Sequence, residues 1–400
     1  MNEAFCISIR EVTEMGTNRP RLLITGGAGF VLSNLVHHWL TIDSTATAVI
    51  FDQKKAWDLS IQAFLGNFVA TERLCFYDGD VSSSESWTLL EKIHGTQFTH
   101  VVAGAALTPT AEEEKQMPLK IIDVNLQGIL KCFEFVRLRL PNIHRCVHIS
   151  SDAVLGIKGL NFSPDTDTPS DTLAVPSMSL YALSKLAGEA AAKRWKELYG
   201  MDIVSVRFSD VYGRLDRDTG ARNRHNAPYW VCRKVLALEN ETSLLQNEDS
   251  CKATNQVKIK VAAPSLDSVC WDMIAAPSVA SGVTALLKSP SKPKRHVYHI
   301  ALGRTPPILE VIESALGRKM EPDDFDKIQM VQVSDDGLNS ATKGDIDIGC
   351  LAVNHWLMSN PMDIGPMKDE FGWYPEELKT SLKQYMDHLR ECQEQSSSVA

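Results

Sequence analysis

A doubly wound parallel α/β sheet with a smaller C-terminal, substrate-binding cap is the fold class the sequence predicts, on three observations. Short apolar runs rich in β-branched residues alternate with amphipathic stretches through the first half of the chain. A glycine-rich turn, TGGAGF (25–30), follows the first of these runs and opens a helical pattern. After residue 213 the alternation gives way to polar loops, separated helices and isolated strands.

Taken in order, RLLIT (21–25), TAVIFD (47–52), RLCFY (73–77), THVVA (99–103), RCVHIS (145–150) and DIVSVRF (202–208) read as buried strands. They are too short for helices, and amphipathic patterns fall between them, clearest at 112–139 and 182–199. Strands separated by helices imply parallel pairing with right-handed crossovers. The arginine-rich loop RLDRDTGARNRHN then leads to a helix near 228–240, the strand QVKIKV (256–261) and helices at 277–288, 307–317 and 375–391. Residues 1–20 read as a flexible extension and 21–213 as the sheet unit. Residues 214–391 read mainly as the cap, with some elements returning to the sheet, and 392–400 as a disordered tail. Ligands of such sheets sit at the carboxyl ends of the strands, so the cap is expected to close over that edge.

Composition narrows the function. The 400 residues suit about two or three domains. Hydrophobic residues at 44% and charged residues at 23% are ordinary globular usage, which excludes disorder as the main state. Lys and Arg total 41 against 50 acidic residues, a net charge of -9 that argues against nucleic acid or an anionic membrane as partner. No apolar run approaches the ~18–20 residues of a membrane helix, and MNEAFCISIREVTEMG places acids where a signal peptide has a basic end. The 9 cysteines are scattered without a Cys-x-x-Cys pair, which reads as reduced thiols in a cytoplasmic chain.

In the glycine turn, Gly26 and Gly29 let backbone amides approach a pyrophosphate, and Phe30 and Val31 open the helix whose positive end faces that anion. Asp52 ends the second strand, where a carboxylate accepts hydrogen bonds from the adenosine ribose and repels a ribose phosphate, favouring NAD over NADP. Lys54 and Lys55 close behind keep NADP as the alternative. GDV (79–81) puts Asp80 and Val81 near the adenine. A third glycine would stand at position 32, where this chain has Leu32; the leucine is expected to push the helix outward or be absorbed by repacking, and to weaken cofactor binding. Further on, Tyr181 and Lys185 in YALSKLAGE lie at i and i+4 on one helix face. An ammonium beside a phenol lowers its pKa, so the phenolate can exchange a proton with a substrate hydroxyl. Ser151, at the end of RCVHIS, reaches the same sheet edge and can bond a substrate oxygen.

TGGAGF, Asp52, GDV, AGAA (103–106), Asn125 in DVNLQG, SSDAVLG (150–156), YALSK and RFSDVYG (207–213) together resemble the extended short-chain dehydrogenase/reductases, and within them the NAD-dependent epimerase/dehydratase group. The likeness runs from about residue 21 to FGWYPEEL (371–378). It implies a Rossmann fold, Ser151, Tyr181 and Lys185 as the catalytic set, and Lys185 on the nicotinamide ribose. It also implies Ala105 at the cofactor, Asn125 supporting the lysine through a water, and a homodimer formed by 112–139 and the helix carrying Tyr181.

The departures concern the substrate. The dTDP-glucose dehydratases of the group carry Thr-Asp-Glu where this chain has Ser151-Asp152-Ala153, so their general base is missing and Asp152 is left to act as an acid or a hydrogen-bonding group. Sugar-nucleotide epimerases show Asn and Arg, which grip the diphosphate, where this chain has Asp210 and Trp271. An acid repels a diphosphate and a Trp offers a flat apolar face, which points to an uncharged substrate. Arginines 214, 217, 222 and 224 are the alternative phosphate contacts. His37, His38, His296 and His299 lack metal spacing, and EEE (112–114) suits the first turn of a helix. The expectation is a NAD-dependent oxidoreductase interconverting a secondary alcohol and a ketone on a small, non-nucleotide metabolite, with a setting in secondary metabolism. The alternatives are a sugar-nucleotide 4-epimerase and a non-catalytic dinucleotide-binding regulator; the latter typically loses the Tyr–Lys pair that this chain keeps.

Overall fold

The computed structural model describes residues 19–155, 179–216, 227–245, 259–262, 266–267, 270, 272–330, 350–352 and 361–397. Residues 1–18 of the extension expected over 1–20, and Trp271, lie outside them. Strands β1 (Arg21–Thr25), β2 (Thr47–Asp52), β3 (Leu74–Asp78), β4 (His100–Ala103), β5 (Arg145–Ser151) and β6 (Ile203–Phe208) form within a residue of the apolar runs. They pair in parallel in the order β3-β2-β1-β4-β5-β6, and the strand Val297–Ile300 adds a seventh neighbour beside β6. The order reverses between β1 and β4, the place where a doubly wound sheet opens a crevice for ligand.

Both faces of the sheet are covered, which is why its strands read as near-continuous apolar runs. On one face, helix α1 (Phe30–Ile42) buries Leu32, Leu35 and Trp39 together with Val279, Val283 and Leu286 of the helix Ala276–Lys288. On the other, Trp87 and Leu90 pack with Ile129, Phe133 and Val136. A third apolar cluster gathers Tyr212, Trp230, Val235, Val311, Leu382 and Met386. Short strands attend it: Asp210–Tyr212 pairs with Met273–Ala275, and Ile259–Ala262 lies between Ile328–Met330 and Cys350–Ala352.

Two elements differ from the sequence reading, the first for a plain physical reason. The stretch 112–139 is not one helix. It breaks into Ala111–Gln116, Pro118–Ile122, a π-helical turn over Asp123–Gln127, and Gly128–Arg139. Pro118 has no N–H to continue a ladder, so the chain restarts there with the proline in the first turn. Glu112, Glu113 and Glu114 do occupy a first helical turn, with Thr110 and Glu113 forming a capping box. At the other end, the last helix spans Leu378–Ser397, past residue 391 where the tail was expected to fray.

Candidate active site

The glycine turn fits a pyrophosphate. Gly26 has φ +75, and a Cβ there would stand 2.7 Å from the Ala105 Cα, so this position admits only glycine. Ala105 is thus placed against the turn, with its amide and that of Gly104 held by Thr25 Oγ1 at 3.2 and 3.0 Å. A Cβ on Gly29 would meet only the Gly26 carbonyl oxygen, at 3.2 Å, which leaves the space over the start of α1 open. Gly29 is the N-cap, makes no side-chain cap and is followed by no acid in the first turn, so Phe30 and Val31 open α1 at its positive end. Asp52 lies beneath the turn: its Oδ2 accepts from Ala28 N at 3.1 Å and its Oδ1 from Gln53 N at 2.8 Å.

Leu32 is absorbed by repacking. It is 5% exposed, and a Cβ built on Gly104 would fall 2.5 Å from its Cδ1. The glycine missing from α1 is therefore matched by one on the facing loop, and the helix keeps its place in the core.

Asp80 accepts from Ser82 N at 2.9 Å and from Lys120 Nζ at 3.1 Å, while buried Val81 fills the space where a side chain on Gly128 would stand. Asn125 is fully buried in the π turn, with its amide spent on Leu107: Oδ1 accepts from the Leu107 N–H at 2.7 Å and Nδ2 donates to its carbonyl at 2.9 Å. Its side chain pins the loop after β4.

Tyr181 and Lys185 share helix α7 (Leu180–Tyr199), which abuts the end of β5. Ser179 caps the helix through Ala182 N at 3.2 Å, and Glu114 reaches across to accept from Leu180 N at 2.7 Å. The first turn, with Tyr181 in it, is fixed from two sides. Glu114 escaped the sequence reading because an acid in a first turn is satisfied by its own helix. Lys185 is 2% exposed, donates from Nζ to the Ile149 carbonyl at 2.8 Å and lies 5.6 Å from the centroid of the Tyr181 ring. Burial pushes its pKa down to about 8 against the opposing pull of Glu189. Ser151 ends β5, donating from Oγ to Asp152 Oδ1 at 3.0 Å and accepting from Ala153 N at 3.1 Å. Lys185 thus binds β5 two residues before Ser151 with the Tyr181 ring beside it, residue types able to polarise an oxygen and move its proton.

Asp210 opens the short strand after β6, half-buried, and its N–H donates to the Asp272 carbonyl at 3.3 Å. Asp272 itself was missed in the sequence. Its carboxylate is 2% exposed and accepts from Leu302 N at 2.9, Gly303 N at 3.0 and Met362 N at 3.1 Å, tying together three separate stretches of chain. Burial pushes its carboxyl up to about 7, Asp152 adds to the rise, and the three amides oppose it. Its sequence signal is an acid directly before a short apolar strand. Of the four arginines, only Arg214 lies among the described residues, with its guanidinium over the Phe64 ring at 4.6 Å. Among the described residues no helix is long and apolar enough to cross a membrane.

UDP-glucuronate 4-epimerase 6 of Arabidopsis thaliana is 30% identical over 202 residues, 49% of this chain and 40% of that protein. The dTDP-glucose 4,6-dehydratase of Escherichia coli is 25% identical over 204 residues, 48% of this chain and 55% of that protein. The matched region thus spans about half the length of these relatives. The structure of a UDP-glucose 4-epimerase from Thermotoga maritima, determined with UDP-glucose, superposes with a TM-score of 0.64 at 17% identity, covering 93% of this chain and 99% of that one. The family model for the NAD dependent epimerase/dehydratase family matches residues 22–301, and the chain belongs to that family.

Proposed function

We propose that this chain is an NAD(H)-dependent oxidoreductase that interconverts a secondary alcohol and a ketone on a small molecule. The observation that carries the reading is the buried Lys185 ammonium, bonded to the Ile149 carbonyl beside the Tyr181 ring at the strand end that presents Ser151. Tyr181 as phenolate takes the proton from the substrate hydroxyl, and returns it when the reaction runs backwards. Lys185 lowers the pKa of that phenol by its charge. Ser151, turning its hydroxyl from Asp152, donates a hydrogen bond to the substrate oxygen and fixes its place. NAD, when bound, supplies the acceptor for the hydride from the alcohol carbon. The amides at Gly26–Val31 would hold its diphosphate and Asp52 its adenosine ribose. Asp78, which accepts from Lys54 N at 2.8 Å, stands with Asp52 at that end and disfavours a ribose phosphate.

For the substrate, the carboxylates of Asp152 and Asp210 favour an uncharged group at this edge, and Ala153 lacks the base needed for elimination of water. A second reading, a sugar-nucleotide 4-epimerase, is favoured by the 30% identity to a UDP-glucuronate 4-epimerase. Epimerisation recycles its cofactor within one turnover, whereas net reduction exchanges it. Calorimetric titration with NAD, NADH and NADPH, then with UDP-glucose and UDP-glucuronate in excess NAD, separates the two. NAD is expected to bind more tightly than NADPH, and neither UDP-sugar to bind. Micromolar binding of a UDP-sugar would transfer the assignment to the epimerase, and absence of any dinucleotide binding would overturn both readings.

A further inference from the structure

Beneath α7 the sheet is polar where a buried parallel sheet is ordinarily apolar. The register sets His148 beside Ser205, Ser150 beside Arg207, and Arg207 beside His299. All but Arg207 are at most 2% exposed, and the Arg207 side chain is 12% exposed. Helix α7 covers this layer, with Gly188 placed so closely that a Cβ there would stand 2.7 Å from His148 Nε2. The next residue, Glu189, is 7% exposed. Its Oε1 accepts from the Ser150 hydroxyl and from Arg207 Nε at 2.8 Å, and its Oε2 accepts from Arg207 Nη2 at 2.6 Å. Lys185 lies one turn earlier on the same helix face. Burying such an ion pair costs desolvation that an apolar pair would avoid, so stability alone does not account for it.

We infer that Glu189 is a positioning residue for the reaction: clamped by Ser150 and Arg207, its carboxylate is the fixed counter-charge that holds Lys185 as an ammonium beside Tyr181. The inference deepens the oxidoreductase reading and takes its catalytic meaning from it. The elements packed against α7 carry other charges that bear on the lysine. On β5, His148 is pushed down to about 3 by burial and stays neutral. Arg207 lies on β6, Asp152 on the turn after β5 and Asp123 on the π turn. Lys120 is paired with Asp80 at 3.1 Å, and Glu134 with Arg137 at 2.6 Å and with Trp195 farther along the helix. Glu189 is the group whose charge raises the lysine's pKa while burial lowers it.

The test is a pH titration of the full chain labelled with ε-13C lysine, followed by NMR, with the Lys185 resonance assigned by its loss in Lys185→Arg. Glu189→Gln removes the counter-charge and leaves Arg207, so the Lys185 pKa is expected to fall by about one unit or more, the order of one neighbouring opposite charge. Arg207→Gln leaves Glu189 unopposed and is expected to shift Lys185 upward. The double variant should return near the wild-type value. Opposite shifts are a signature of charge: loosened packing relieves burial and raises the lysine in either variant, so the fall in Glu189→Gln decides, and should that variant fail to fold, a double variant titrating below Arg207→Gln reads the same charge. Unmoved titrations, or shifts of both variants in one direction, overturn the inference. Opposite shifts in a chain that binds no dinucleotide would uphold the counter-charge and overturn the oxidoreductase reading instead.

Discussion

Replacing Tyr181 by Phe is expected to lower turnover by about 10²–10⁴-fold, the usual worth of a positioned acid/base, while leaving NAD affinity within a few-fold. The phenyl ring keeps the packing of the tyrosine ring, 5.6 Å from Lys185 Nζ, and loses only the hydroxyl that exchanges the proton. Ser179 and Glu114 would still cap the helix start, so the geometry should survive the change. Steady-state rates set beside calorimetric NAD affinity check the prediction. Unchanged turnover would remove Tyr181 from the chemistry, whereas a parallel loss of affinity would indicate a collapsed site.

The second large effect is expected at Leu32. Its Cδ1 occupies the space that a Cβ on Gly104 would claim, 2.5 Å away, so the two positions share one volume. Leu32→Gly should cost about 3–5 kcal/mol, from the cavity left in the core and from a glycine inside a helix. Gly104→Leu should also destabilise, because its side chain would overlap Leu32 and approach Ile149 Cγ1, which lies 3.0 Å from the Cβ position. The double variant Leu32→Gly/Gly104→Leu should recover a large part of both losses. Denaturant unfolding of the four proteins gives the coupling directly. Additive losses would mean that the two positions do not share this volume.

The sheet was legible in the sequence because its signals are local. Each strand from β1 to β6 is an apolar run, and the glycine turn and the i, i+4 spacing of Tyr181 and Lys185 place themselves on elements without knowledge of the rest. What escaped depends on contacts between distant segments. His148, Ser150, Ser205 and Arg207 alternate with apolar residues on strands read as buried, and nothing local in the sequence shows what would satisfy them there. The structure buries them because Gly188 makes room and Glu189 supplies the charge. Asp272 is satisfied by amides up to ninety positions away, and the partner of Leu32 is a glycine in another loop. The single helix read over 112–139 failed for a local reason: the amphipathic period runs on across Pro118 although the backbone ladder does not.

The sheet is also finished late. β6 gains its outer neighbour only when Val297–Ile300 arrives, after the segments bearing Tyr212, Trp230 and Val235 have been made. At the ~5–20 residues per second of synthesis, the outer edge of β6 stays bare on the ribosome for several seconds. An uncovered strand edge is a template for pairing with another chain. The emerging protein is thus most open to mispairing while the segment between Tyr212 and Val297 is being made, and chains cut short within it keep that edge exposed.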